Sequence, residues 1–148
     1  MGPLIPAAKT GLKKIRVLLV DDCPALSEAL EVLLGHFDHI EVVGMAEDGA
    51  QALEQTEQLR PDVVITDLEM PNMHGADFVR TQMSRRALPI IVYSSLDSTA
   101  PLAQLAISGG AAHYLRKPVG HEPIRRQQEL LYLAILRAVA GEPHDFRL

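Results

Sequence analysis

The chain has 148 residues, 47% of them hydrophobic, with three Phe, three Tyr and no Trp, which suits a single domain with an aliphatic core. Its net charge of −5 argues against nucleic acid as a partner, and the lack of any apolar run of ~18 residues argues against a membrane span. Cys23 is the only cysteine, so no internal disulfide is possible and a reducing, cytoplasmic location is expected.

From residue 15 onward the sequence alternates between two kinds of segment, after a loose leader over residues 1–14. Short runs rich in Val, Ile and Leu predict strands, and segments with apolar residues at helical spacing predict helices. In chain order these are strand 15–20, helix 24–37, strand 40–46, helix 49–60, strand 62–67, helix 75–86, strand 88–95, helix 99–110, strand 111–118 and helix 123–140. Residues 15–140 are therefore expected to form one domain, followed by a tail over 141–148.

Apolar stripes predict which face of each helix is buried. The stripes are Leu26, Leu30, Leu33 and Phe37 in the first helix, Ala76, Val79 and Met83 in the third, and Leu102, Leu105, Ala106 and Gly109 in the fourth. Asp48 is expected to cap the second helix, which Pro61 ends. Five strands alternating with five helices predict a mostly parallel sheet that is covered by helices on both faces.

Polar residues stand at the carboxyl ends of four of the five predicted strands. They are Asp21 and Asp22 directly after the first strand, Asp67 at the end of the third, Ser94 and Ser95 at the end of the fourth, and Lys117 at the end of the fifth. Each alone has an ordinary explanation as a helix cap or a turn residue. In a parallel sheet, however, the carboxyl ends of the strands meet at one edge, which is where ligands bind. We therefore expect these side chains to lie together.

Three clustered carboxylates are unfavourable unless a positive charge lies among them. Oxygen ligands suit a hard cation, and a few carboxylates completed by waters suit Mg²⁺ best. A cation held by Asp22 and Asp67, with Lys117 opposite, makes a pocket that neutralises phosphoryl oxygens. A carboxylate in such a pocket can act as a nucleophile and form an acyl phosphate. The residues therefore indicate phosphoryl transfer onto an aspartate.

Four motifs in this order make residues 15–120 resemble the receiver domain of two-component response regulators. They are "VDD" after the first strand, "DLEMPNMHG" after the third, "SS" after the fourth and "GAAHYLRKP" around the fifth. The resemblance implies a flavodoxin-like receiver fold, with one doubly wound parallel sheet in the strand order 2-1-3-4-5 and five helices. It also implies a signalling switch rather than an enzyme, phosphorylated by a histidine kinase or a phosphotransfer protein.

The resemblance further assigns roles to individual residues and implies Mg²⁺ as the cofactor. Asp67 would be the phosphoacceptor, with Ser94 and Lys117 as the other catalytic residues. The metal ligands would be Asp22, Asp67, the backbone carbonyl of Glu69, and Asp21 through a water molecule. Ser94 and Tyr114 would form the switch that responds to phosphorylation.

Three alternatives remain beside a phosphorylated receiver. The stretches "EMPNMHGADFV" and "LPIIVYSSLDSTA" look most like the receiver half of chemotaxis methylesterases, but the chain has no G-x-S-x-G motif, so it would be a fragment or a relative. A Mg²⁺-dependent aspartyl-phosphate hydrolase of the haloacid-dehalogenase kind would carry D-x-D where this chain has Asp67-Leu68-Glu69. A binding module that is not phosphorylated would lack Asp22, Asp67 or Lys117, and all three are present.

The last predicted helix, 123–140, is apolar on more than one face. One stripe is expected to pack on the sheet, namely Ile124, Leu131, Ile135 and Ala138. The apolar residues left over are Leu130, Tyr132, Leu133 and Leu136. Such a patch usually marks a protein interface. We expect a homodimer, or docking to a kinase or target, through this helix, the fourth helix and the fifth strand, unless the leader or the tail covers the patch.

Overall fold

The computed structural model describes residues 13–120 and 123–143, so only residues 13–14 of the predicted leader and 141–143 of the predicted tail are among the described residues. All ten predicted elements are present, with bounds within three residues of those expected. They are β1 (Ile15–Val20), α1 (Pro24–Leu34), β2 (Ile40–Ala46), α2 (Gly49–Leu59), β3 (Val63–Thr66), α3 (Gly75–Arg85), β4 (Ile90–Ser94), α4 (Pro101–Ser108), β5 (His113–Arg116) and α5 (Ile124–Ala140). Within the described ranges, no helix has both the length and the apolar character needed to cross a membrane.

The five strands form one parallel sheet in the order β2-β1-β3-β4-β5, which confirms the predicted fold. The order reverses between β1 and β3, and ligands of such sheets bind at that point, beyond the carboxyl ends of the strands. Val20 pairs with Ala46 on one side and with Thr66 on the other. Because the register is shared, Asp21 and Asp67 leave the sheet side by side.

The core consists of two apolar layers, one on each face of the sheet. The α2, α3 and α4 helices cover one face, where Phe78 and Val79 are fully buried. The α1 and α5 helices cover the other face, where Leu34, Leu131 and Ile135 are fully buried. Successive strand residues alternate between these layers, as the pleat requires. Neighbouring residues of one strand therefore pack against different helices.

Two of the predicted stripes are wrong in part. The α1 helix ends at Leu34, so Phe37 lies beyond it and stacks on Tyr132 with ring centroids 3.9 Å apart. In α4 the buried residues are Ala103 and Ala106, whereas Leu105 is 60% exposed. Nearly every residue of α4 is apolar, so periodicity could not select the face that packs. The α3 stripe and the Asp48 cap on α2 are confirmed.

The α5 helix packs through the expected stripe but exposes fewer apolar residues than predicted. Leu131, Ile135 and Ala138 are buried, and nothing is described for the side chain of Ile124. Leu130 and Leu133 are exposed, as expected, and Leu136 is half-buried. Tyr132 was wrongly placed in the exposed patch. Besides stacking on Phe37, it makes a hydrogen bond of 2.6 Å between its hydroxyl and His39 Nε2.

Candidate functional site

The backbone ladder fixes the polar residues that follow the strands. The amide of Asp21 donates to the carbonyl of Ala46, and the amide of Asp67 donates to the carbonyl of Val20, both at 2.9 Å. The amide of Lys117 donates to the carbonyl of Ser94 at 2.8 Å. Hydrogen bonding of the sheet thus continues one residue past the strands, and it holds all three side chains at the same edge.

Three carboxylates meet at this edge. Oxygen atoms of Asp21, Asp22 and Asp67 all lie within 4.8 Å of one another, with Asp21 and Asp67 buried and Asp22 exposed. Lys117 Nζ lies 2.8 Å from Asp21 Oδ2 and 3.1 Å from Asp67 Oδ2. The predicted cluster is therefore present.

The second oxygen of each buried carboxylate accepts a backbone hydrogen bond. Asp21 Oδ1 accepts from the amide of Cys23 at 2.9 Å, and Asp67 Oδ1 accepts from the amide of Leu68 at 2.7 Å. No side chain caps the amino end of α1, so neither Asp21 nor Asp22 has the helix-capping role that their position in the sequence would otherwise suggest.

The charges at the site do not balance. Burial by itself would lower the pKa of Lys117, but the hydrogen bond that its ammonium donates to Asp21 and the charge of Asp67 outweigh burial, so the pKa of Lys117 is raised above its usual value. Lys117 is therefore a cation at neutral pH, and it faces three carboxylates. A divalent cation would offset the remaining negative charge. The all-oxygen donor set, with exposed Asp22 open to water, fits Mg²⁺.

A close backbone approach ties the loop after β3 to Asp67. A Cβ atom at Gly75 would lie 2.0 Å from the carbonyl oxygen of Asp67, so only glycine fits there. The amide of Gly75 donates to the carbonyl of Leu68 at 2.9 Å. His74 then caps α3 by accepting from the amide of Asp77. The glycine of the "DLEMPNMHG" motif thus lets α3 begin directly against the acidic cluster.

A second contact fastens the same loop to α2. Asn72 has a left-handed backbone with φ of 63°, and its Nδ2 donates to Asp48 Oδ2 at 2.9 Å. Asp48 Oδ1 accepts from the amide of Gln51 at 2.8 Å. The hydrogen bonds from Gln51 and Asn72 lower the pKa of Asp48. This aspartate lies near the site but is satisfied by neutral donors.

The two predicted switch residues lie on the face covered by α2, α3 and α4. Ser94 is fully buried, and its Oγ accepts from the amide of Leu96 at 3.2 Å. Tyr114 is also buried, and its hydroxyl donates to the carbonyl of Leu96 at 2.7 Å. Burial raises the pKa of Tyr114, so its hydroxyl remains a donor. The two residues hold the same loop residue, and Ser94 is not the cap of α4.

Two polar residues that the sequence analysis did not select lie on the other face. Tyr93 and Gln127 are buried, and the Tyr93 hydroxyl donates to Gln127 Oε1 at 3.1 Å. Lys117 Nζ lies 5.8 Å from the centroid of the Tyr93 ring. Burial raises the pKa of Tyr93 to about 12. A hydroxylated aromatic beside Ser94 in an otherwise aliphatic strand was the available signal for Tyr93.

Comparisons with known proteins agree with one another. The family described as the response regulator receiver domain matches residues 17–128. The crystal structure of the response regulator domain of CheB from Thermotoga maritima has a TM-score of 0.80 and 33% identity, covering 88% of this chain and all of that one.

Curated relatives carry the name protein-glutamate methylesterase/protein-glutamine glutaminase. The one from Pyrococcus abyssi is 38% identical over 136 residues, which are 90% of this chain and 37% of the relative. The one from a Nocardioides species is 39% identical over 124 residues, covering 82% of this chain and 34% of the relative. The chain thus spans about a third of the length of these relatives.

Proposed function

Because the chain belongs to the response regulator receiver domain family of two-component signalling, we propose that Asp67 accepts a phosphoryl group from a histidine kinase or a phosphotransfer protein. The observation that carries this proposal is the buried carboxylate of Asp67, which is clustered with two other carboxylates and lies 3.1 Å from the Lys117 ammonium. The chain then acts as a signalling switch that catalyses only its own phosphotransfer and dephosphorylation.

The transfer forms one bond and breaks another. A carboxylate oxygen of Asp67 attacks phosphorus, the bond from phosphorus to the donor's imidazole nitrogen breaks, and that nitrogen keeps the electron pair. Lys117, a cation at neutral pH, pairs with a phosphoryl oxygen. Bound Mg²⁺, held by Asp22, Asp67, the Glu69 carbonyl and Asp21 through water, would neutralise charge on the phosphoryl group.

The switch that follows involves Ser94 and Tyr114. In the unphosphorylated protein both bond to Leu96, one to its amide and the other to its carbonyl. A phosphoryl group on Asp67 offers the Ser94 hydroxyl a charged acceptor to donate to, and such a charge-assisted hydrogen bond is stronger than the 3.2 Å bond that Ser94 Oγ accepts from the Leu96 amide. Turning Ser94 toward it releases the loop and lets Tyr114 reposition. A new charge thereby biases a two-state element.

The output surface consists of α4, β5 and the exposed part of α5, and we propose that it binds a second copy of the chain or a target protein. Leu105 and Leu133 are exposed there, 60% and 48% respectively. Light scattering with and without phosphorylation should show association in the wild type and its loss in Leu133→Glu. Val32→Glu is the matched control, because Val32 is 65% exposed on α1, outside this surface. A monomeric wild type in both states would contradict a homodimer.

The test of the phosphoacceptor is the intact mass after incubation with acetyl phosphate and Mg²⁺. The wild type should gain about 80 Da, the mass of one phosphoryl group. Asp67→Asn should gain nothing, and neither should the wild type with EDTA. Asp62→Asn is the control, because Asp62 is an exposed aspartate before the same strand, at its other end. An undiminished adduct on Asp67→Asn would show that another residue accepts the phosphoryl group.

A second candidate function follows from the names of the relatives, of which this chain spans about a third. The domain would then be the regulatory part of a protein-glutamate methylesterase-like regulator. An antibody against residues 15–140 should detect a longer protein in cell extracts in that case. A single species with the mass of this chain would contradict this second candidate and leave the stand-alone receiver as the only proposed function.

A further inference from the structure

The β4 strand presents one polar residue to each face of the sheet beside the acidic cluster. Ser94 points to the layer under α2, α3 and α4, where the proposed switch lies. Tyr93 points to the opposite layer, among aliphatic residues that include Leu131 and Ile135 of α5. Its hydroxyl reaches Gln127 in the first turns of α5. One strand end is thus connected to two different sets of helices.

Tyr93 also contacts the acidic site from below. The Lys117 ammonium lies 5.8 Å from its ring centroid, within the range of a cation–π interaction. Asp21, Asp67 and Tyr93 line the same small cavity beneath the cluster. The Tyr93 ring therefore borders both Lys117 and the two buried carboxylates.

We propose that Tyr93 and Gln127 are positioning residues that couple Lys117 to α5, as a second route for the phosphorylation signal. The proposal rests on the function proposed for Asp67. It adds a path on the α1 and α5 face to the path through Ser94 and Tyr114 on the opposite face.

The charges give the path its driving force. Lys117 is divided between Asp21 and Asp67 in the unphosphorylated protein. A phosphoryl group on Asp67 adds negative charge and strong acceptors, so the ammonium moves toward it and away from its present place over the ring. The Tyr93 hydroxyl cannot leave Gln127 without burying an unsatisfied polar group. The first turns of α5 therefore follow the ring, and exposed Leu130 lies one turn further along the same helix.

The surroundings favour a signalling role over a purely stabilising one. A buried hydrogen-bonded pair in an aliphatic layer contributes little net stability, and replacing both partners with apolar groups of similar shape is close to neutral. The double variant Tyr93→Phe/Gln127→Leu is therefore expected to fold, with the ring and the packing retained and the link removed. Thermal unfolding checks this, and Tyr93→Phe alone is the second variant.

The test compares hydrogen exchange in α5 before and after treatment with acetyl phosphate and Mg²⁺, with the adduct measured on the same samples. In the wild type, exchange in α5 should change on phosphorylation. In the double variant the adduct should form, but the change in α5 should fall at least about fivefold, a usual size for coupling between contacting residues. The change in the loop around Leu96 should persist, because that loop responds to the other path.

Tyr114→Phe is the reciprocal control. It removes a hydroxyl on the opposite face, so it should disturb the response of the Leu96 loop and keep that of α5. An adduct with a wild-type α5 response in the double variant would overturn the second route alone, as would a wild-type α5 that does not respond. No adduct on the wild type would instead overturn the function proposed for Asp67.

Discussion

The two ends of the sheet differ in how their charged residues are partnered. At the amino end, the Arg16 guanidinium donates to the carbonyls of Leu59 and Arg60, and the carboxylate of Asp62 accepts from the Arg16 amide at 2.8 Å. Arg16 and Asp62 thus each have hydrogen-bond partners. At the carboxyl end, three carboxylates face Lys117, and two of them are buried. Buried charge without balance is a mark of a site, whereas balanced charge at the surface is a mark of structure.

The difference in burial also determines what each end contributes to stability. Exposed charged pairs contribute little, because water screens them. Breaking a buried pair is expensive, because it leaves the other charge without a partner in a poorly solvated place. The same kind of substitution should therefore have different consequences at the two ends.

Removing the cation at each end should give the largest contrast. Without divalent ions, Lys117→Met should lower the free energy of unfolding by about 3–5 kcal/mol, because Asp21 and Asp67 lose their shared counter-charge. Arg16→Met should lower it by about 1–2 kcal/mol, the usual net value of the two hydrogen bonds that the guanidinium donates at a partly exposed position. Urea unfolding of both variants measures the difference.

A second substitution separates charge from packing in that result. Adding Asp67→Asn to Lys117→Met removes one of the two stranded carboxylates, so the double variant should regain part of the lost stability. Equal losses for Lys117→Met and Arg16→Met would mean that the two ends do not differ electrostatically.

Mg²⁺ should act on only one end of the sheet. A ligand that binds the folded state alone stabilises it by about 2.7 kcal/mol at a free concentration of 100 times its Kd. Thermal unfolding of the wild type should therefore shift upward as Mg²⁺ is titrated. Asp22→Ala should lose most of this shift, because one of few hard ligands is gone. Asp62→Ala, at the amino end, should keep it, and an equal loss in both variants would point to binding elsewhere.

The sequence predicted the carboxyl end well, for a simple geometric reason. Asp67 and Lys117 follow strands, and parallel strands bring their ends to one edge whatever the details of packing. Local pattern was enough to place them, although the roles given to every site residue, from the phosphoacceptor Asp67 to the switch residues Ser94 and Tyr114, remain predictions. Asp48 was likewise predictable, since a helix cap depends only on residues nearby in the chain.

Contacts between distant segments were not predictable in the same way. Tyr93 meets Gln127 across 34 positions, and neither residue alone indicates the other. Tyr132 was expected at the surface because it lies off the packing stripe of α5, and nothing in the local pattern indicated that Phe37 would stack on it. Such pairs depend on where helices end and how they cross the sheet. Periodicity can predict the buried face of a helix whose other faces are polar, but it does not predict which residues of other segments lie opposite that face.

Asp48 gives the smallest and most selective test of the difference between the two ends of the sheet. It lies at the carboxyl end, but its carboxylate accepts hydrogen bonds from neutral donors, as the carboxylate of Asp62 does at the amino end. The folded pKa of Asp48 is lowered from the ordinary value of 3.8, so its contribution to stability is present above that value and is lost as the pH falls through the folded pKa. Asp48→Ala should therefore lower the free energy of unfolding by about 1 kcal/mol at pH 7, as for the loss of a helix cap, and by less at pH 3. Asp48→Asn keeps a capping oxygen without a titrating group, so its stability should lack this part of the acid dependence. Urea unfolding at the two pH values, with and without Mg²⁺, measures both effects.

The stabilisation by Mg²⁺ should be the same in Asp48→Ala as in the wild type. Its loss would place Asp48 within the charged site and remove the distinction between satisfied and unbalanced carboxylates at that edge.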